Sequence, residues 1–249
     1  MISRRTVVDG TLRTVTRTLC RVHDAQLDRV PSCGPLILVA NHINFLEVPL
    51  LLTHLSPRPV TGFAKAETWD NPAMAWLFDL WAAIPLRRGE PHLEAMRRAL
   101  EVLEAGQILA VAPEGTRSGS GRLGRGHPGV VMLAQHSRAP LLPLGYYGSE
   151  NLRHNLSRLR RTDFHIVVGN PFTVDFPEGR LDRRQRQEIT DEIMYQLAAL
   201  LPERYRGDYA DLGRATETWL RFAPGSSSNL AGRKTPTDAI RGVPLFEGA

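Results

Sequence analysis

The sequence predicts an α/β fold in which a largely parallel central sheet is flanked by helices, with an amphipathic helix at the N-terminus. Short apolar runs rich in β-branched residues alternate with longer segments whose apolar residues recur every three to four positions. This alternation is typical of a parallel sheet with crossover helices. Hydrophobic residues make up 42% of the 249 residues and charged residues 23%, the mix of a globular protein with a sizeable core. No apolar run reaches the roughly 18 residues that a membrane span needs, and the opening MISRRTVVDG lacks the apolar run of a secretory signal.

The first element is predicted to be a helix over residues 3–29. The apolar residues that recur there at helical spacing are Val8, Leu12, Val15, Leu19 and Val22. Arginines at 13, 17 and 21 run beside this stripe. A basic amphipathic helix of this kind fits an anionic membrane surface. Alternatively, the apolar stripe packs on the protein's own core.

The remaining elements follow from apolar runs and from residues that start or stop helices. Strands are predicted at residues 35–40, 59–64, 84–86, 107–113, 140–148 and 164–172. Helices are predicted at residues 45–55, 72–82, 91–105, 129–137 and 183–201. Pro72, Gly106 and Asp182 mark a helix start, a helix end and an N-cap. We therefore divide the chain into the N-terminal helix (1–30), a main domain (31–222) and a flexible tail rich in Gly, Ser, Pro and Thr (223–249).

Three polar clusters follow predicted strands. They are Asn41–His42, Lys65–Glu67 and the Pro-Glu-Gly-Thr-Arg segment at 113–117. Because ligands bind at the carboxyl edge of an open α/β sheet, we expect these clusters to form one site.

His42 is the candidate base of this site. Its imidazole can accept a proton at neutral pH, and a carboxylate on the other ring nitrogen would orient it. Glu47, five residues later, can do this if His42 lies in the turn and Glu47 in the first helical turn. Alternatively, Asn44 and Glu47 have the spacing of a capping box, and Glu47 merely closes the helix end. No G-x-S-x-G nucleophile motif is present, so a histidine base would act directly on a substrate hydroxyl.

The segment 112–126, APEGTRSGSGRLGRG, is a candidate anion site. Backbone amides of Gly115 and Thr116 and the guanidinium of Arg117 are groups that bind phosphate. Arg87 and Arg88, after the predicted strand 84–86, are a second phosphate-contact candidate. The alternative is a Gly-rich surface loop with solvated arginines. No Walker lysine is present, which excludes a nucleotide P-loop.

The net charge indicates which classes of partner the protein can bind. The net charge is +5, and all but two of the 31 basic residues are arginines, which suits phosphate-bearing or anionic partners. The chain has no nucleic-acid recognition motif, so we expect no nucleic acid among its partners.

Cys20 and Cys33 have no metal-binding spacing, which predicts free thiols in a reducing cytosol.

Taken together, these segments resemble the PlsC-type glycerophospholipid acyltransferases, the 1-acyl-glycerol-3-phosphate acyltransferase family, over about residues 35–150. That family has four ordered blocks. The first, Asn-His with an acid five residues later, is Asn41, His42 and Glu47. The second is matched by Lys65, Glu67, Pro72 and Arg88, the third by Pro113 to Arg117, and the fourth by the strand Leu141–Leu144 with its Pro143.

The resemblance implies an acyl transfer without cofactor or metal. By resemblance, His42 deprotonates an acceptor hydroxyl that attacks an acyl-CoA or acyl-carrier-protein thioester, and Glu47 orients His42. The residues implied in binding the acceptor's glycerol phosphate are Arg88, Glu114, Gly115, Thr116 and Arg117, with Lys65 in the second block. The implied partners are the acyl donor, a lysophospholipid acceptor and an anionic membrane surface. The implied location is peripheral, at the cytoplasmic face of the cell membrane.

The sequence departs from the family pattern at the acid, where Glu47 stands in place of the usual aspartate. A catalytically degenerate lipid-binding protein of the same fold is therefore the alternative. Contact between the His42 and Glu47 side chains, at roughly 2.6–3.2 Å, would favour the enzyme.

Overall fold

The computed structural model describes residues 4–55, 58–87 and 92–231. The helices are α1 (Arg4–Leu19), α2 (Glu47–His54), α3 (Pro72–Leu80), α4 (Leu93–Glu104), α5 (Gly129–Ser137), α6 (Leu152–Ser157) and α7 (Arg183–Ala198). The strands are β1 (Cys20–His23), β2 (Leu36–Ala40), β3 (Val60–Lys65), β4 (Ile84–Leu86), β5 (Ile108–Val111), β6 (Leu141–Tyr147), β7 (Thr162–Val168), β8 (Phe172–Val174) and β9 (Leu220–Phe222). No described helix combines the length and the apolar character that crossing a bilayer requires.

The strands form one mixed sheet in the order β1-β7-β6-β2-β5-β3-β4, with β8 paired to β6 and β9 paired to β8. The central run β6-β2-β5-β3-β4 is parallel throughout. Strands β7 and β8 pair antiparallel with β6. The predicted α/β fold with a mostly parallel sheet is therefore confirmed.

Helices cover both faces of the sheet, and β2 shows why the strand sequences are apolar at every position. Ile37 and Val39 belong to the core beneath α4, α5 and α7. Leu36, Leu38 and Ala40 belong to the core beneath α1, α2 and α3. A strand buried on both faces needs apolar side chains at odd and even positions alike, and this explains the run that ends at Asn41.

The N-terminal helix is shorter than predicted. Helix α1 ends at Leu19, and residues 20–23 form strand β1, which pairs parallel with β7. Along β1, Cys20 and Val22 point towards the core while Arg21 and His23 are exposed, the two-residue period of a strand. The prediction of helix over 20–24 is wrong, because four residues with a strand period also fit the helical stripe, whereas Ala25–Arg29 form a short 3-10 helix.

Part of the predicted apolar stripe packs on the protein. Leu12 and Leu19 on α1 and Val22 on β1 pack against the core beneath α1, α2 and α3, so for these residues the core-packing alternative is correct, whereas Val15 is 46% exposed. Buried polar contacts fix the helix as well. Asp9 accepts a hydrogen bond from the buried indole Nε1 of Trp81 at 3.0 Å.

A second buried polar contact lies between α1, α2 and the end of β1. The ring of His54 on α2 contacts Asp24 through Nδ1 at 2.7 Å and Thr16 through Nε2 at 3.4 Å. Burial lowers the pKa of His54, against the opposing effect of Asp24. Residues 4–30 are thus joined to the rest of the fold by both packing and hydrogen bonds.

Towards the C-terminus, several helices and strands have other bounds in the structure than the sequence predicts. The predicted strand 164–172 is two strands, β7 and β8, because Gly169–Pro171 turns the chain between them. Asp182 caps α7 in a capping box with Gln185, as predicted, but the helix ends at Ala198. Helix α6 and strand β9 were not predicted.

The first part of the predicted tail is attached to the fold. The side chain of Asn229 exchanges hydrogen bonds with the backbone of Asn170 and with Gln196 on α7. Residues 232–249 lie outside the described residues, and the domain boundaries themselves stay a prediction.

Replacing Asp9 with alanine tests the attachment of α1. The substitution leaves the buried Trp81 indole N–H without its acceptor, so we expect the free energy of unfolding to fall by about 1–3 kcal/mol. Urea denaturation followed by Trp fluorescence measures this. The matched control is Asp28→Ala, an exposed aspartate, which should change stability by no more than about 0.5 kcal/mol. Equal stabilities for the two variants would show that packing alone holds the helix.

Candidate functional site

The three predicted polar clusters meet at the carboxyl edge of the parallel strands. In the sheet register, Val39 of β2 is level with Val111 of β5, and Ala110 of β5 is level with Gly62 of β3. The segments that follow, with His42, Glu114 and Lys65, therefore leave the sheet at the same edge, as the sequence predicted.

Asn41 fixes the chain where it leaves β2. Its side-chain amide donates to the carbonyl oxygen of Tyr146 at 2.9 Å and accepts from the Tyr146 N–H at 2.7 Å. This paired contact ties the end of β2 to the end of the neighbouring β6. Asn41 is thus fixed by two hydrogen bonds to the backbone of β6, and this fixes the position of the His42 backbone that follows it.

His42 and Glu47 are in direct contact. Nδ1 of His42 lies 3.0 Å from Oε2 of Glu47. Because a carboxylate oxygen can only accept, this bond places the proton on Nδ1 and leaves the lone pair on Nε2. The His42 side chain is 27% exposed, and Nε2 has no hydrogen-bond partner in the part of the chain that the structure describes. The geometry leaves Nε2 available as a base.

The Glu47 carboxylate is held by further donors. Glu47 is 3% exposed. Its oxygens accept the Asn44 N–H at 3.1 and 2.9 Å, and Oε1 accepts the hydroxyl of the buried Ser149 at 3.2 Å. A buried carboxylate needs such donors to offset its lost hydration.

The capping-box interpretation of the Asn44–Glu47 spacing holds only in part, because α2 begins at Glu47 and its N-cap residue is Leu46. Glu47 accepts the Asn44 N–H, as in half of a capping box. The Asn44 side chain does not complete the box, since its Oδ1 accepts from Leu46 N–H at 2.8 Å and its Nδ2 donates to Ser149. The Glu47 carboxylate therefore has two roles: it binds a backbone N–H just before α2, and it orients the His42 ring.

Ser149 is the residue that the sequence analysis missed. It lies two positions after the end of β6, and its hydroxyl contacts both Glu47 and Asn44. No motif marks it, because its neighbours are remote in sequence. The signal that could have found it is the chain order, since a residue just after a central strand belongs to the same sheet edge.

Glu114 lies beneath the site. Its two carboxylate oxygens accept the backbone N–H groups of His42 at 3.0 Å and Gly124 at 2.9 Å, and the residue is buried. Burial raises the pKa of Glu114, against the opposing effect of these two donors. Both oxygens thus hold protein segments together, and the expected contact between Glu114 and the acceptor stays a prediction.

The loop after β5 wraps around the His42 turn. Backbone N–H groups of Ser118 and Gly119 donate to the carbonyls of His42 and Ile43 at 2.8 and 3.2 Å. Gly115 has a left-handed backbone, φ +65°, which favours glycine. Its N–H donates to the carbonyl of Ala112 at 3.0 Å in a turn, and its expected role as an anion donor stays a prediction.

Thr116 and Arg117 are exposed at the rim of the site, and so is Lys65 at the end of β3. Arg88 lies outside the described residues. Its neighbour Arg87 lines a cavity of about 370 Å³ together with Trp69, Pro85, His92 and Arg98, among others. Neither His42 nor Glu47 lines this cavity. The candidate acceptor residues are thus spread along the edge on either side of β5.

Comparisons with known proteins show the family of the chain. The profile of the Acyltransferase family matches residues 21–147. The chain is 27% identical over 150 residues to a chloroplastic 1-acyl-sn-glycerol-3-phosphate acyltransferase, BAT2, of Brassica napus, covering 58% of this chain and 43% of that protein. It is 23% identical to a 1-acyl-sn-glycerol-3-phosphate acyltransferase of Bacillus subtilis, covering 68% of this chain and 82% of that protein. The chain thus spans less than half the length of the plant relative.

A solved structure has the same fold. It is the 1-acyl-sn-glycerophosphate acyltransferase PlsC of Thermotoga maritima, with a TM-score of 0.57 and 23% identity over 78% of this chain and 80% of that one. At this identity the likeness concerns the fold.

Replacing Glu114 with glutamine tests its role as a brace. The amide NH₂ would face a backbone N–H donor, so we expect a loss of about 1–3 kcal/mol in the free energy of unfolding. The matched control, Glu104→Gln on exposed α4 surface, should change it little.

The same variant has a pH signature. Because the folded-state pKa of Glu114 is raised, its contribution to stability is fully present below the unfolded pKa of about 4.3 and is lost as pH rises through the folded value. Glutamine does not titrate. The stability difference between wild type and Glu114→Gln should therefore be larger in mild acid than at neutral pH, as urea titrations at both would measure. A difference that grows with pH would contradict the raised pKa.

Proposed function

The chain belongs to the PlsC-type acyltransferase family, and from this premise we propose that it is an O-acyltransferase. It would transfer a fatty acyl group from an acyl thioester to a hydroxyl of a glycerophospholipid precursor such as 1-acyl-glycerol 3-phosphate. The relatives named above carry this activity in their names. The observation that carries the proposal is the contact of His42 with a buried carboxylate that leaves Nε2 accessible.

The proposed reaction balances with His42 as the only proton carrier. Nε2 takes the proton of the acceptor hydroxyl as its oxygen attacks the thioester carbonyl carbon. The tetrahedral intermediate then expels the thiolate, and the proton held on Nε2 passes to the leaving sulfur. An ester bond forms, a thioester bond breaks and the histidine returns to its starting state. Glu47 holds the ring in the required tautomer throughout and stabilises the transient imidazolium.

The acceptor's phosphate would bind at the basic rim of the sheet edge. Arg117 and Thr116 lie on the loop that wraps the His42 turn, and Lys65 lies at the end of β3. Arg88 and Gly115 would bind the same phosphate, and for these two residues the support is the resemblance to the acyltransferase family. A guanidinium and a hydroxyl together suit a phosphate monoester, because both donate to its oxygens.

The donor would be an acyl-CoA or an acyl-carrier protein, since both present the same thioester to the base. The product is a membrane lipid, so we place the protein at the cytoplasmic face of the cell membrane, attached peripherally to an anionic surface. The net charge of +5 favours such a surface.

The alternative, a degenerate lipid-binding protein, rested on glutamate at the position of the usual aspartate. The extra methylene does not separate the pair, because the His42–Glu47 distance is 3.0 Å. This value lies within hydrogen-bond reach and favours the enzyme.

Replacing His42 with alanine tests the proposal. Removal of a general base lowers kcat by roughly 10²- to 10⁴-fold, while the fold should persist because the side chain is partly exposed. Thiol release from acyl-CoA, or product formation from acyl-carrier protein, measures the rate with 1-acyl-glycerol 3-phosphate as acceptor.

The control for this variant is His136→Ala, an exposed histidine on α5. It should keep full activity. A wild-type enzyme that transfers no acyl group from either donor would sink the proposal, and so would a His42→Ala variant as active as the control.

A further inference from the structure

Helix α6 and the turn after it carry unusually exposed leucines. Leu159 is 95% exposed and Leu156 is 49% exposed. Leu159 also has a left-handed backbone, with φ +53°. A non-glycine residue rarely adopts this conformation, and such strain is often found at functional segments. The turn therefore places a large apolar side chain almost fully in solvent.

The turn is a defined structure. The carbonyl of Asn155 accepts the N–H groups of Arg158 and Arg160 at 3.1 and 2.8 Å, and the Asn155 side chain donates to Thr162 at 3.1 Å. Arg161 donates to the carbonyls of Arg17 and Cys20, which fixes the segment to the end of α1. The exposed leucines are thus held in place.

Basic residues surround these leucines. Between Asn151 and Thr162 the chain has no acidic residue. The exposed arginines at 153, 158 and 160 form no ion pair within the described ranges 4–55, 58–87 and 92–231. We call Leu156, Leu159 and these three arginines the α6 surface.

The α6 surface lies close in sequence and in space to the candidate site. Helix α6 begins three residues after Ser149, whose hydroxyl contacts Glu47. Leu152 at the start of α6 packs against the core beneath α1, α2 and α3, which sets the face on which the helix lies. Phe45, beside the Asn44 that binds Ser149, is a further exposed apolar side chain.

We propose that the α6 surface docks the protein on an anionic lipid bilayer. Leu156 and Leu159 would enter the interface, and the three arginines would contact lipid phosphates. The identification of the partner as a membrane rests on the proposed function, because acceptor and product are then bilayer lipids. Helix α1 offers less apolar surface than expected, since Leu12 and Leu19 are packed on the core and its exposed large hydrophobics are Val7 and Val15.

A bilayer fits this surface better than an acidic protein partner. Arginines alone would suit either one. The turn holds Leu159 in solvent beside a second exposed leucine, and both side chains are stabilised when they enter an apolar phase. Burying one such side chain raises the partition constant about tenfold or more.

The test is co-sedimentation of the full chain with vesicles of equimolar phosphatidylglycerol and phosphatidylcholine. We expect Leu156→Ser/Leu159→Ser to lower the partition constant by at least about tenfold. The variant Arg153→Gln/Arg158→Gln/Arg160→Gln should lower it about fivefold per arginine and weaken its dependence on salt. The matched controls are Leu93→Ser, an 80% exposed leucine on α4, and Arg184→Gln on α7, both on the opposite face of the sheet. Both controls should bind as wild type does, and circular dichroism should show all variants folded.

Acyl transfer to a water-soluble short-chain acceptor separates this inference from the proposed function. The α6 variants should keep that activity and lose transfer to acceptor presented in vesicles. If the wild type transfers no acyl group, the vesicle measurement still decides the inference. Vesicle binding that is unchanged in both α6 variants would overturn it. An arginine variant that binds vesicles normally but loses transfer only from acyl-carrier protein would overturn it as well, and would assign the surface to that protein.

Discussion

The Glu47 carboxylate is the contact on which the site depends. It lies buried at the first turn of α2 and is satisfied by a ring nitrogen of His42, the backbone N–H of Asn44 and the hydroxyl of Ser149. These donors come from the turn after β2 and the turn after β6. Because a buried carboxylate is stable only when its donors are in place, one group both starts a helix and sets the direction of the histidine.

The sheet supplies the rigidity that this contact needs. Asn41 ties the end of β2 to β6 through two hydrogen bonds, and Glu114 ties the His42 turn to the loop after β5. The histidine thus lies between braces to both neighbouring strands, each made of buried polar groups. Precise placement of a base by a rigid surround is a main source of catalytic rate.

Much of the fold could be predicted from the sequence, since strands buried on both faces and helices with clear end signals are strongly patterned. Asp182 and Gly106 are correct helix boundaries. Strand β1 was missed because four residues with a two-residue period can be absorbed into a helical stripe. The spacing of His42 and Glu47 predicts their contact as one of two alternatives, whereas the roles of Ser149 and Glu114 depend on which strands are neighbours. That order is a property of the folded sheet that local pattern does not contain.

The central claim is that Glu47 orients His42 for proton transfer, and its most direct test is the steady-state kinetics of Glu47→Gln. Glutamine keeps the length of the side chain but can offer only one oxygen, so the donors at His42, Asn44 and Ser149 cannot all be satisfied. We expect kcat to fall at least about tenfold while the acceptor KM stays within about twofold, the signature of an interaction needed only in the transition state. A kcat equal to that of wild type in a folded variant would contradict the account and would leave Glu47 as the cap of α2 alone.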